Sequence, residues 1–130
     1  MKEILVPVSP GELLDKITIL RIKCARIADA GKLAHVRHEL SQLEASREAS
    51  LPASPDMAAD EAALERVNAE LWDIEDRIRE HEARGCFDAS FIELARSVYL
   101  RNDERAALKR RINLRLESAL VEEKSYRPYR

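Results

Sequence analysis

The chain begins with a short apolar run, Ile4–Val8, which reads as a strand or an extended arm covering residues 1–9. Ser9-Pro10-Gly11-Glu12 follows, with a serine placed to cap, a proline at the first helical position and a glutamate set to close a capping box. A helix is therefore predicted from about Pro10. It carries Leu13, Ile17, Leu20, Cys24 and Ile27 on one continuous face, while Leu14, Ile19 and Ile22 point elsewhere. A helix apolar on more than one side is central to its fold or buried against another chain. Asp29 and Gly31 break the pattern, and Leu33, Val36, Leu40 and Leu43 form a second seam, so residues 10–49 read as a short helical hairpin.

Residues 50–56, SLPASPD, are linker-like, and Ser54-Pro55 repeats the cap-then-proline signal. A third helix is predicted from Pro55 to Arg84 and ended by Gly85, with Leu64, Val67, Leu71, Ile74 and Ile78 in one stripe. Asp88 or Ser90 caps a fourth helix expected to reach about Glu122, so that residues 57–124 form a longer hairpin and residues 125–130 a tail. Leu13, Leu20, Arg26 and Ile27 weakly repeat as Leu64, Leu71, Arg77 and Ile78. The predicted fold is all-α and single-domain: two antiparallel hairpins forming a four-helix bundle, the second the longer, with an N-terminal strand or arm.

Two rows of polar residues stand out against this pattern. In ELWDIEDRIRE, residues 70–80, Asp73, Asp76, Arg77 and Glu80 lie opposite the apolar stripe, but Asn68, Trp72, Glu75 and Arg79 form a row beside it. On the fourth helix the seam Phe91, Ala95, Val98, Asn102, Arg105, Lys109, Ile112, Leu116 is interrupted by three polar residues. Polar groups on a buried seam are costly unless paired. Antiparallel pairing sets Asn102 near Leu71 and Glu75, and Arg105 near Asn68, which predicts a polar layer of Asn68, Glu75, Asn102 and Arg105 inside the bundle. Three readings of this layer stand side by side: it fixes helix register, it binds an anionic small molecule through Arg105, Lys109 and Arg79, or it is solvated where the helices splay.

Composition narrows the functional classes. Charged residues make up 35% of the chain but the formal net charge is only −2, so the basic field that phosphate-backbone binding requires is missing and no nucleic-acid partner is expected. No segment approaches the length of a membrane span, and the opening run is too short for a signal peptide, which points to the cytoplasm. Cys24 and Cys86 lack the spacing of a redox or zinc motif and read as free thiols. His35 and His38 are two imidazoles without a third donor at fixed spacing, so no metal and no cofactor is expected. No phosphate-binding glycine loop or nucleophile elbow is present, and catalytic residues are not identified.

MKEILVPVSPGELLDKITILRIK, ELWDIEDRIRE, FIELARSVYLRNDERAALKRRIN and ALVEEKSYRPY together resemble the bacterial domain-of-unknown-function family 6165 over nearly the whole chain. The central motifs are also similar to a second uncharacterised helical family with the pattern L-W-H-x-E-D-x-A-R followed by R-N-D. Leu71, Trp72, Glu75, Asp76, Arg79, Arg101, Asn102 and Asp103 match it, whereas Asp73 and Ile78 depart from it. These resemblances imply a bacterial helical protein in the context of cell-envelope glycan genes and no defined reaction.

The expected function is a non-enzymatic interaction or scaffold protein of the bacterial cytoplasm. The alternative is a small-molecule-binding helical-bundle enzyme, such as a metal-dependent nucleotide pyrophosphohydrolase. Ile19, Ile22 and the Ile4–Val8 run predict a homodimer. Tyr126 and Tyr129 in the tail are placed either to dock on their own domain or to meet a protein partner.

Overall fold

The computed structural model describes residues 2–118 and 122–129 and contains four helices. They are α1 (Pro10–Arg26), α2 (Ala30–Ser50), α3 (Pro55–Arg84) and α4 (Ala89–Arg115). Each begins on a side-chain cap of the kind the sequence advertises. Ser9 accepts from the Glu12 amide at 3.1 Å, Asp29 from Lys32 at 2.8 Å, Ser54 from Met57 at 3.1 Å and Asp88 from Phe91 at 3.0 Å. Asp88, rather than Ser90, is therefore the cap of α4.

The two hairpins form as predicted, and α1 is the central element, packed against α2, α3 and α4. Its apolar residues face three directions because it has three neighbours. Leu14 joins Met57, Leu64 and Ile112 in the main core, and Ile17, Leu20, Ile22 and Val67 are also buried. Burial of one such side chain contributes about 1.5–3 kcal/mol, so these residues are the principal apolar anchors of the fold. Among the described helices the backbone of α2 comes close only to α1, and α2 has no fully buried residue, so its seam covers a flank.

Gly11 lets α1 and α4 touch. Its amide donates to Asn113 Oδ1 at 2.8 Å, and a Cβ placed there would lie 2.6 Å from the Lys109 carbonyl oxygen. Asp60 fixes the α3–α4 pair, accepting from Arg111 at 2.9 Å and Arg115 at 3.0 Å. Farther along, Arg101 meets Glu70 at 2.8 Å, which confirms the expected antiparallel register. Glu61 accepts from Arg21 of α1 and Arg47 of α2 and so ties three helices together.

Three readings are narrowed or corrected. Of the strand-or-arm alternatives the arm is found: among the described residues there is no strand, residues 2–9 are irregular, and Ile4, Leu5 and Val6 are 81%, 88% and 66% exposed. The Ser9 half of the predicted capping box forms, while the Glu12 carboxylate pairs with Lys109 at 2.8 Å. Helix α4 stops at Arg115 rather than near Glu122. Glu117 takes a left-handed conformation (φ 51°), and the Glu117 and Ser118 amides bond back to Leu114 and Asn113, which terminates the helix. Leu120, Val121 and Arg130 lie outside the described residues.

The tail returns along α4. Glu122 meets Lys109 at 2.7 Å, Glu123 meets Arg110 at 3.0 Å, and the Tyr129 hydroxyl donates to Asp103 while its ring packs edge-on against Tyr99. The tail thus lies on its own α4 rather than beside the N-terminal run.

Candidate functional site

Asp15 organises the polar centre of the molecule. It sits on α1 with 1% of its surface exposed, between the buried Leu14 and Ile17. Arg105 of α4 donates to both carboxylate oxygens, through Nε at 2.8 Å and through a terminal nitrogen. Asn68 of α3 donates its amide to Asp15 at 2.9 Å and to the Thr18 hydroxyl at 3.0 Å. The Thr18 hydroxyl in turn donates to the Asp15 carbonyl at 2.9 Å. Three helices therefore share one hydrogen-bonded cluster, and no buried side-chain polar atom among the described residues is left unpaired.

The electrostatics follow from these pairings. The hydrogen bond from Arg105 to Asp15 raises the guanidinium above its ordinary value. One turn on, burial pulls Lys109 down, but Glu12 and Glu122 outweigh that effect and leave the ammonium above its usual value. Both cations are committed to acids of the same chain. Separating the partners of such a satisfied network would strand a buried charge, which favours the helix pairing seen here.

Of the predicted layer, Asn68 and Arg105 come together, with Asp15 between them, while Glu75 and Asn102 lie on opposite sides of this cluster. The reason is a rotation of α4: its inward edge follows Leu94, Val98, Arg101, Arg105, Leu108 and Ile112, which leaves Asn102 on the exposed edge. A groove of about 340 Å³ opens on the α1–α3 side, lined by Ile19, Ile22, Leu71, Trp72, Glu75 and Arg79. Arg79 meets Glu75 at 3.7 Å, and both side chains are open to solvent. On the other side the returning tail encloses a hollow of about 610 Å³, walled by Asn102, Arg105, Lys109, Tyr99, Tyr126 and Tyr129. Arg105 is the partition between the two.

Ile22, predicted to face a second chain, is buried within its own, and Ile19 is half-buried in the groove. Tyr126 is 77% exposed. Sequence reasoning missed Asp15, although a signal existed: one acid inside a helix apolar on several sides demands a cation, and the seam of α4 supplied one. Asp60 and Glu61 were missed because the arginines that pair with them lie on other helices. His35 and His38 both lie exposed on α2, and Cys24 and Cys86 are free thiols.

The sequence model of DUF6165, a family of unknown function, matches residues 4–129. The chain belongs to this family. No curated protein and no solved structure matches it. The DUF6165 match spans the arm, all four helices and the tail, so the Asp15 cluster and both flanking hollows lie within the family's own domain. No helix of the described residues is long and apolar enough to cross a membrane.

Proposed function

We propose that this DUF6165 protein is a non-enzymatic interaction protein that works as a homodimer in the bacterial cytoplasm, with a protein partner in cell-envelope glycan synthesis. The observation that carries the reading is the contrast between a centre whose charges are already paired and an N-terminal run whose apolar side chains are open. Ile4, Leu5, Val6 and Val8 are all exposed, and their backbone lies outside any sheet. An extended apolar segment of this kind offers edge hydrogen bonds and a hydrophobic face together. A second copy carries the same segment, so two arms can pair about a two-fold axis, the self-complementary interface usual for dimers. Pro7 removes one donor and confines pairing to the residues around it.

The test is the solution mass by light scattering of the full chain and of a variant carrying Ile4→Glu and Val6→Glu. The reading expects a dimer for the first and a folded monomer of unchanged helicity for the second, since both residues lie outside the core. A parent chain that stays monomeric at high micromolar concentration, or a variant that stays dimeric, refutes it.

The alternative of a metal-dependent nucleotide pyrophosphohydrolase rests on the groove beside Trp72, whose ring could stack on a base. That chemistry needs carboxylates converging on a divalent ion, whereas Asp15, Asp60 and Glu61 each converge on arginines. Stabilisation by nucleotides or sugar nucleotides in a melting assay, lost in Trp72→Ala, would favour this alternative.

A further inference from the structure

The turn between α3 and α4 gathers three metal-ligating side chains of different chemistry. His81 stands in the last turn of α3 and is buried, Cys86 is half-buried just past Gly85, and Asp88 caps α4. One donor atom from each lies within 4.8 Å of the others. The Cys86 sulfur is 3.4 Å from Asp88 Oδ2, and His81 Nδ1 is 3.7 Å from Asp88 Oδ1. Tetrahedral zinc, with bonds of about 2.0–2.3 Å, separates such donors by roughly 3.3–3.6 Å.

The local fold explains why these atoms meet. Gly85, at φ 61°, reverses the chain, and the Cys86 amide bonds back to the His81 carbonyl at 2.9 Å, which brings residue 86 over residue 81. Asp88 uses Oδ1 to accept from the Phe91 amide, which leaves Oδ2 turned toward the thiol. Phe91 packs against the His81 ring at 6.0 Å and against Phe87 at 5.1 Å, giving the imidazole an apolar wall on one side. The turn thus presents nitrogen, sulfur and oxygen donors from a rigid frame.

The geometry points to a binding site for a divalent transition metal, zinc fitting it best, held by His81, Cys86 and Asp88 with a fourth position open to solvent. A thiolate and an imidazole select zinc, cobalt or iron over magnesium or calcium, which take oxygen donors. His81 Nδ1 now lies 2.9 Å from the Cys86 carbonyl. Against a carbonyl oxygen Nδ1 carries the proton, so metal uptake gives up this hydrogen bond: the imidazole shifts its proton to Nε2 to present a lone pair at Nδ1, and the thiol releases its proton to solvent. Three protein ligands and one open position is the arrangement that leaves a metal free to bind water or an outside ligand. Bound there, the ion joins the end of α3 to the start of α4 at the tip of the long hairpin.

Cobalt(II) added to the reduced, chelator-treated full chain tests the site by absorption. The expected result is one equivalent bound with a thiolate-to-cobalt charge-transfer band, displaced by zinc and accompanied by release of one proton from the thiol. The band should vanish in Cys86→Ser and persist in Cys24→Ser. Asp88→Asn keeps a competent helix cap while removing the ligating carboxylate charge, so it should weaken binding by at least about tenfold, the lower end of what loss of even an outer-shell partner costs, without lowering the melting temperature of the metal-free protein. No band, or a band unchanged in Cys86→Ser, overturns the proposal. Equal zinc stabilisation in melting experiments for the parent chain and Cys86→Ser does the same.

Discussion

Arg105 grips Asp15 with its guanidinium fork, Nε on one carboxylate oxygen at 2.8 Å and a terminal nitrogen on the other, across the contact between α4 and α1. The carboxylate side chain is 2% exposed and the guanidinium 30%, so Asp15 carries most of the desolvation. Removing one partner of a fully buried pair costs about 3–5 kcal/mol. Because Arg105 keeps contact with water, Asp15→Ala is expected to lose less, about 2–3 kcal/mol. Replacing both partners, Asp15→Leu with Arg105→Met, should recover much of that loss, since no charge is then stranded. Urea denaturation of the single and double variants measures the coupling, and strictly additive losses would mean that the pair does not act as a unit.

A second consequence concerns Gly11. Any Cβ at this position meets the Lys109 carbonyl at 2.6 Å, and that oxygen belongs to helix backbone that cannot swing aside. Gly11→Ala would normally favour a helix, yet here α1 must move away from α4 and stretch the 2.8 Å bond from the Gly11 amide to Asn113. A destabilisation of about 1–3 kcal/mol is expected, the usual range for overpacking. Thermal melting decides the sign. A gain in stability would show that the helices separate without loss.

Most of the helical architecture was legible because it is written locally. Ser9-Pro10, Asp29, Ser54-Pro55 and Gly85 mark helix ends by chemistry that acts within a few residues. That α1 is apolar on several sides was also legible, since Leu14, Ile17 and Ile22 cannot share one face, but whether other helices or a second chain cover those sides was not. What escaped was pairing between helices. An acid such as Asp15 or Glu61 looks the same in sequence whether it meets water or an arginine far along the chain. A rotation of α4 of a fraction of a turn separates Asn102 from Glu75, and no spacing in the sequence reports it. Glu117 hid the end of α4 because glutamate is a good helix former that here adopts the conformation usually left to glycine.

That last residue gives a stabilising substitution. Glu117, at φ 51°, closes α4 with the two backbone bonds to Leu114 and Asn113 that glycine closes more easily at Gly85. A side chain in this conformation costs about 1–2 kcal/mol, part of which glycine returns as greater freedom of the unfolded chain. Glu117→Gly is therefore expected to stabilise by about 0.5–1 kcal/mol. An increase of the denaturation midpoint with an unchanged slope confirms it. A loss would mean that the Glu117 side chain makes contacts worth more than the strain.

The tail supplies a pH signature. Hydrogen bonds from Lys109, and then from Lys124, pull Glu122 down from 4.5 to about 2. A carboxylate depressed in the folded state contributes stability that is fully present above its unfolded value and lost as pH falls through its folded value. The Glu122 contribution should therefore be constant above about pH 5, decline below 4.5 and vanish near pH 2. Lys109 has the opposite sign: raised above 10.5, it contributes fully below that pH and loses its share only in stronger alkali. Glu122→Gln isolates the acid limb. The gap in melting temperature between the parent and this variant should close as pH falls from about 5 toward 2, while both keep their helicity. A gap that is the same at every pH would mean that Glu122 holds the tail by packing rather than by charge.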